Sequence, residues 1–175
     1  MTRIDVQARA VRGARTRPVW RPPSRLGGWD LVERVSQGGL TCVYRARPAE
    51  GGSSRPASYA VKVLRPEWEH DAQAIEMLTR EALVGRRVTH PHLISVLAAC
   101  VRQSPRYLVM PWLEGRTLTA RLQECLPPDV PEILWVVRQV AEALAALHEH
   151  GWMHGDVKPE NVMVSPAGHA TLLDL

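Results

Sequence analysis

Two lysines and a single asparagine survive in a chain of 175 residues that carries twenty arginines. Where a residue type is this scarce, the remaining copies are candidates for chemistry that no substitute performs. Lys158 and Asn161 fall in His154-Gly155-Asp156-Val157-Lys158-Pro159-Glu160-Asn161, and Lys62 falls in Tyr59-Ala60-Val61-Lys62. A carboxylate at Asp156 can orient a hydroxyl and accept its proton. An ammonium at Lys158 can offset charge spread over a transferring oxygen-rich group. The side-chain carbonyl of Asn161 can help hold a hard cation such as Mg²⁺. Together these are the parts that phosphoryl transfer to a hydroxyl needs. The pattern H-x-D-x-K-P-x-x-N fixes five residues, and at ~5% usage each it arises by chance in such a chain with a probability on the order of one in ten thousand.

The elements that must position these residues can be traced along the chain. Trp29–Val35 and Thr41–Ala46 read as two strands of a hairpin around the turn signal Gln37–Gly39. Residues 48–58 read as a loop, and Ser58–Leu64 as a short apolar strand carrying Lys62. Asp71–Val88 has helical periodicity, with Ile75, Leu78, Ala82 and Val88 near one face, and His90-Pro91 ends it. Leu93–Val101 and Arg106–Met110 read as two further strands, and Thr117–Cys125 as a short helix. Pro131–His148 gives the clearest helix, with Ile133, Val136, Val137, Val140, Leu144 and Leu147 on one stripe, Asp129 as cap and Gly151 beyond its end. Val162–Val164 and Thr171–Leu173 are short apolar segments around a Pro166–Gly168 turn. A strand-rich first half with one helix, followed by a helical second half, predicts an α+β fold in two lobes.

From Trp29 to Leu175 the chain closely resembles the Ser/Thr protein kinase family, in its bacterial type. His154–Asn161 carries the resemblance as the catalytic loop, with Lys158-Pro159 in the Ser/Thr form, and Tyr59–Lys62 resembles the strand that presents a lysine to ATP. The resemblance implies an antiparallel five-stranded small lobe (29–110) with one helix, a hinge (111–116) and the start of a mostly helical large lobe (117–175). It implies that Lys62 meets the α- and β-phosphates and pairs with Glu81. Gly38 in Val35–Tyr44 is the middle glycine of the phosphate-covering turn. By the same resemblance adenine would be read by the backbone of Pro111 and Leu113, limited in depth by Met110, roofed by Val43 and Ala60 and floored by Met163, with Val35 also at the nucleotide. Asp174 in Leu172–Leu175 matches the carboxylate that binds Mg²⁺ beside Asn161. ATP and Mg²⁺ are thus the implied substrate and metal, and a protein Ser/Thr hydroxyl is the implied acceptor.

The chain also departs from that pattern. Ser36 and Thr41 stand where the turn usually has glycines, and Gly155 stands in place of the arginine before the catalytic aspartate. Gly85 lies one turn after Glu81, where the family has a bulky apolar residue, so Glu81 is expected to be held less firmly toward Lys62. The activation segment and peptide platform of the family fall beyond residue 175. The chain therefore reads as a fragment that exposes the apolar stripe of its Pro131–His148 helix and is inactive alone. Two alternatives stay open. One is a nucleotide-binding pseudokinase, suggested by Ser36, Thr41 and Gly85. The other is a small-molecule phosphotransferase of the aminoglycoside or choline type, suggested by His154-Gly155-Asp156 with Asn161 five residues on.

Composition bounds the rest. No apolar run is long enough to span a membrane, and no secretory signal follows the N-terminal arginines. Three scattered cysteines, Cys42, Cys100 and Cys125, fit a reduced, cytoplasmic setting. Residues 1–25 hold seven Arg and one Asp, a charge of +6, whereas the remainder has 15 basic and 17 acidic residues, a charge of −2. The basic character belongs to an Arg/Pro-rich tail that reads as disordered, with no specific nucleic-acid partner expected.

Overall fold

The computed structural model describes residues 24–124 and 129–175. The expected tail lies outside the described residues except at its end, where Arg25 enters a two-residue strand, β1 (Arg25–Leu26). Cys125, the expected end of the short helix, also lies outside them. The five expected strands are β2 (Trp29–Gln37), β3 (Thr41–Pro48), β4 (Tyr59–Leu64), β5 (Ala98–Cys100) and β6 (Tyr107–Pro111). With β1 on the edge they form one antiparallel sheet in the order β1-β2-β3-β4-β6-β5. A second antiparallel sheet, β7-β8-β9, joins Arg116–Thr117, Val162–Val164 and Ala170–Leu172.

Side-chain alternation along β4 decides where its lysine goes. Val61 and Val63 face a cluster with Cys42, Tyr44, Ala46 and Val109. Ala60 and Leu64 face the other way, into a core shared with the first helix, and Lys62 points to that same side. That helix, α1 (Ala72–Arg87), starts where the Asp71 side chain accepts from the Ala74 N–H at 2.8 Å. It buries Ala74, Leu78, Ala82 and Val84, and Glu81 is buried on the same flank.

Gly85 does not loosen α1, contrary to the expectation from helix propensity. The helix comes so close to the segment before β5 that a Cβ at Gly85 would lie 2.6 Å from Val96 Cγ2 and 3.3 Å from the Val96 nitrogen. The Val96 N–H donates to the Gly85 carbonyl at 2.9 Å. A bulky side chain at this position is replaced by backbone contact. Gly85→Ala is therefore expected to lower thermal stability. Its gain of ~1 kcal/mol in helix propensity is outweighed by overpacking of ~1–3 kcal/mol against a β-branched neighbour with little rotamer freedom. Gly85→Leu should cost more, and a rise in Tm for Gly85→Ala would contradict the close docking.

The expected strand at Leu93–Val101 shrinks to Ala98–Cys100. The first half of this apolar run is claimed by tertiary bonds in different directions. Ile94 donates to Leu172 O, Val96 to Gly85 O and Leu97 to Val109 O, at 2.8–3.0 Å. The short helix is α2 (Leu118–Leu122), capped by the Thr117 side chain, which accepts from the Ala120 N–H at 3.2 Å.

The long helix, α3 (Val130–Glu149), is capped by Asp129 with Pro131 in its first turn. Its stripe is covered only in part, because Val137 stays exposed. Val136 and Leu147 are buried, and Val140 and Leu144 pack against the same core, which includes Ala170 and Leu172 of β9. Gln139 is buried among them because its amide is satisfied on both sides, donating to Gly168 O at 2.9 Å and accepting from Ala170 N–H at 3.0 Å. Val137 is exposed together with Val130 and Leu134, at i, i+4, i+7 spacing and beside the half-exposed Trp135, so an apolar patch stays open on this helix as expected. Among the described residues no helix is long and apolar enough to cross a membrane.

Candidate active site

The ammonium of Lys62 is held by two carboxylates. Its Nζ donates to Glu81 Oε1 and Oε2 at 2.8 and 2.7 Å, and to Asp174 Oδ1 at 2.7 Å. The expectation of a loose pair at Glu81 is thereby corrected, because α1 docks closely at Gly85 against the segment before β5. Lys62 and Glu81 are both buried. Burial draws the Lys62 pKa down, but the charges of Glu81 and Asp174 outweigh it and raise it above 10.5, so the ammonium persists. Burial pushes the Glu81 carboxyl above 4.5, and Lys62 offsets only part of that.

Asp174 adopts φ 56°, in the left-handed region that aspartate tolerates better than most side chains. It follows β9 and is positioned by two bonds from the neighbouring Leu173. Leu173 N–H donates to Asn161 O at 2.8 Å, and Leu173 O lies 2.7 Å from His154 Nε2. His154 Nδ1 accepts from the Asp156 N–H at 3.2 Å, so Nε2 carries the proton and donates to Leu173. One buried histidine therefore joins the strand before Asp174 to the loop bearing Asp156. The intervening Gly155 has φ 84°, a conformation that an arginine there would adopt only with strain.

Asp156 is organised from its own loop. Lys158 Nζ donates to Asp156 Oδ2 at 2.5 Å, and Asn161 Nδ2 donates to the same oxygen at 3.0 Å and to Asp156 O at 2.9 Å. Asn161 spends its NH₂ group on Asp156, and among the described residues its side-chain oxygen has no hydrogen bond. The Lys158 hydrogen bond, aided by Asn161, lowers the Asp156 carboxyl below its ordinary 3.8. In return the Asp156 carboxylate raises Lys158. Lys158→Ala removes the chief donor to the ionised form, so the Asp156 midpoint should move upward. A ¹³C NMR titration of the Asp156 carboxyl checks the direction, and an unchanged or lower midpoint would contradict the pairing.

Beside Lys62 and Asp174 lies a cavity of 300 Å³ between the two sheets. Val35, Val43, Ala60, Met110, Pro111, Leu113 and Met163 line it, together with Lys62 and Asp174. The backbone N–H and C=O of Leu113 make no hydrogen bond among the described residues. A mostly apolar cavity lined by Leu113, whose backbone offers one free donor and one free acceptor, suits a heteroaromatic base. A second cavity, of 240 Å³, shares Lys62 and Asp174 with the first and adds Glu81, His154 and Asp156. Gly38 lines neither cavity, and its N–H is taken by Thr41 O at 2.8 Å.

Residues 29–175 match the family model for the protein kinase domain. The chain belongs to the protein kinase family. Over 146 residues it is 29% identical to the probable serine/threonine-protein kinase PknB of Lactococcus lactis, covering 83% of this chain and 23% of that protein. It is 30% identical over 151 residues to PknD of Mycobacterium tuberculosis, covering 86% and 22%, and 32% identical over 146 residues to AfsK of Streptomyces coelicolor, covering 83% and 18%. The kinase chain thus spans about a fifth of the length of these curated relatives. Among solved structures it resembles the PknI kinase domain of Mycobacterium tuberculosis, with a TM-score of 0.68 at 26% identity, covering 89% of this chain and 63% of that one. It also shares the fold of the PpkA-294 apo form, with a TM-score of 0.73 at 24% identity, covering 86% and 59%.

Within this kinase domain, Lys62, Glu81, Asp156, Asn161 and Asp174 are brought to one cleft by β4, α1, the loop after α3 and the end of β9. Sequence reasoning left out several neighbours. Ser36, Ile94, Trp112, Thr117, Glu160 and Leu173 also line the 300 Å³ cavity. Trp112 and Leu173 each adjoin a residue already singled out. Ile94 reaches the cavity only because its segment leaves strand geometry, which no local pattern encodes.

Proposed function

We propose that this site transfers the γ-phosphate of ATP to a Ser or Thr hydroxyl of a protein. The observation that carries the reading is the triple contact of Lys62 Nζ with Glu81 and Asp174, which fixes a persistent cation between the apolar cavity and the Asp156 loop. Adenine would occupy the 300 Å³ cavity, with its edge on the Leu113 backbone. Its phosphates would then run toward Lys62, whose charge suits the α- and β-phosphate oxygens.

The residues present also fit a divalent cation. Among the described residues no cluster of three or more His, Cys, Asp or Glu could hold a metal on its own. Asp174 and the unbonded side-chain oxygen of Asn161 would supply two oxygens, with phosphate and water completing the shell, as Mg²⁺ prefers. When bound, Mg²⁺ would neutralise charge on the transferring phosphates.

Lys158 and Asn161 both bond Asp156 Oδ2, so among the described residues Oδ1 is left to accept the hydrogen bond of an incoming hydroxyl. The Asp156 carboxylate is ionised at neutral pH with or without the lowering by Lys158, so it can orient the nucleophile and accept its proton. Lys158 lies where it can follow charge onto the transferred group. The preference for a protein acceptor rests on Lys158-Pro159 and on the named activity of the Ser/Thr kinases that the chain resembles. Calorimetric titration with Mg²⁺-ATP tests the nucleotide half of the proposal. Binding by wild type and its loss in Lys62→Met are expected, and equal binding by both would refute it.

A further inference from the structure

The turn between β2 and β3 is tied down from behind by two side chains that the proposed chemistry leaves unused. Arg65 follows β4 directly, and its backbone N–H donates to Leu40 O at 2.9 Å. Its Nη1 donates to Gly38 O at 3.2 Å and to Gly39 O at 2.9 Å. Trp68 Nε1 donates to Gly39 O at 3.0 Å. Three successive carbonyls of the turn are thus held by residues more than twenty positions away. The strap is itself braced. Pro66–Trp68 forms a single 3₁₀ turn with Trp68 N–H donating to Arg65 O at 2.9 Å, and Arg65 Nη2 donates to Glu67 Oε1 at 2.9 Å. The Arg65 side chain is only 21% exposed.

Peptide planarity turns this into a statement about the cleft. In a trans peptide unit the C=O and the following N–H point in opposite directions. Holding Gly38 O and Gly39 O toward Arg65 and Trp68 therefore turns the N–H groups of Gly39 and Leu40 the other way. Neither N–H has a hydrogen bond among the described residues. Leu40 lines the same 240 Å³ cavity as Lys62 and Asp174.

We propose that Arg65 and Trp68 are positioning residues for the nucleotide phosphates, fixing the turn so that the Gly39 and Leu40 N–H groups are presented to them. This rests on the ATP reading above. A turn that carries Ser36 and Thr41 where more glycine is usual gains its phosphate-ready shape from an external tie. Fixing the turn before the ligand arrives removes an ordering cost from binding.

Calorimetric titration of the protein with Mg²⁺-ATP, Mg²⁺-ADP and adenosine separates the possibilities. Arg65→Ala should weaken ATP and ADP about tenfold, the factor that ordering about one backbone residue corresponds to, and leave adenosine unchanged. Trp68→Phe keeps the ring and the charge balance but loses the donor, so it should show the same phosphate-selective pattern with smaller size. Arg65→Lys keeps the charge without the fork and should resemble Arg65→Ala. Full recovery by lysine would mean simple attraction between charges and overturn the proposal. Equal weakening of adenosine, or no weakening at all, overturns it too while leaving the ATP reading intact. Failure of the wild type to bind any of the three overturns both.

Discussion

Asp156→Asn is expected to lower the rate of phosphoryl transfer by roughly 10²–10⁴-fold, the range a positioned general base supplies, with nucleotide affinity unchanged. The substitution conserves shape. An asparagine oxygen still accepts from Lys158 and Asn161, which now meet at Asp156 Oδ2, so the loop keeps its form. His154 still accepts from the backbone N–H of residue 156, which no side-chain change touches. What disappears is the charge and the basic lone pair facing the incoming hydroxyl. Asp156 does not line the cavity assigned to adenine, so the base-binding part of the site is untouched by the substitution. A single-turnover assay beside a binding titration checks the split. Retained transfer would remove Asp156 from the chemistry, and loss of both would point to a collapsed loop.

Lys62→Met is expected to damage the protein in two separable ways. It abolishes the cation between the cavity and the Asp156 loop, and it leaves Glu81 buried without its partner. Removing one member of a buried pair typically costs about 3–5 kcal/mol, because the surviving charge is neither solvated nor compensated. Asp174 is half exposed and can regain water, so most of the loss falls on Glu81. The pH dependence has a definite sign. Burial already raises the Glu81 pKa, and loss of Lys62 removes the main influence holding it down. A group with a raised folded-state pKa favours the folded state at low pH and loses that contribution as pH rises through the folded value. The Tm deficit of Lys62→Met should therefore be larger at pH 8 than at pH 5. Lys62→Met combined with Glu81→Leu should recover much of the stability and none of the nucleotide binding. A deficit independent of pH, or binding restored by the double substitution, would contradict the triple contact as the organising feature of the cleft.

The parts of the site that were legible in the sequence are those fixed by local spacing. Asp156, Lys158 and Asn161 lie on one short loop, so their order along the chain already implies their proximity. Alternation along Tyr59–Leu64 likewise places Lys62 on the face shared by Ala60 and Leu64. What was not legible depends on distant atoms. Gly85 reads as a weakness when judged by helix propensity, yet its missing side chain admits Val96 and seats Glu81. Leu93–Val101 reads as one strand because its composition is apolar, while its hydrogen bonds go to β9, α1 and β6 in turn. Gln139 breaks an apolar stripe and is nonetheless buried, because Gly168 and Ala170 satisfy its amide. Arg65 and Trp68 look like surface residues until the carbonyls they hold are seen.

The most direct measurement is a γ-³²P-ATP transfer assay on the complete gene product with Mg²⁺. A general protein substrate and an aminoglycoside are offered in parallel, and Asp156→Asn serves as control. Label on protein Ser or Thr, absent from the aminoglycoside and abolished by Asp156→Asn, is the result expected of this site. Label on the aminoglycoside alone, or ATP binding with no transfer to either, would contradict it.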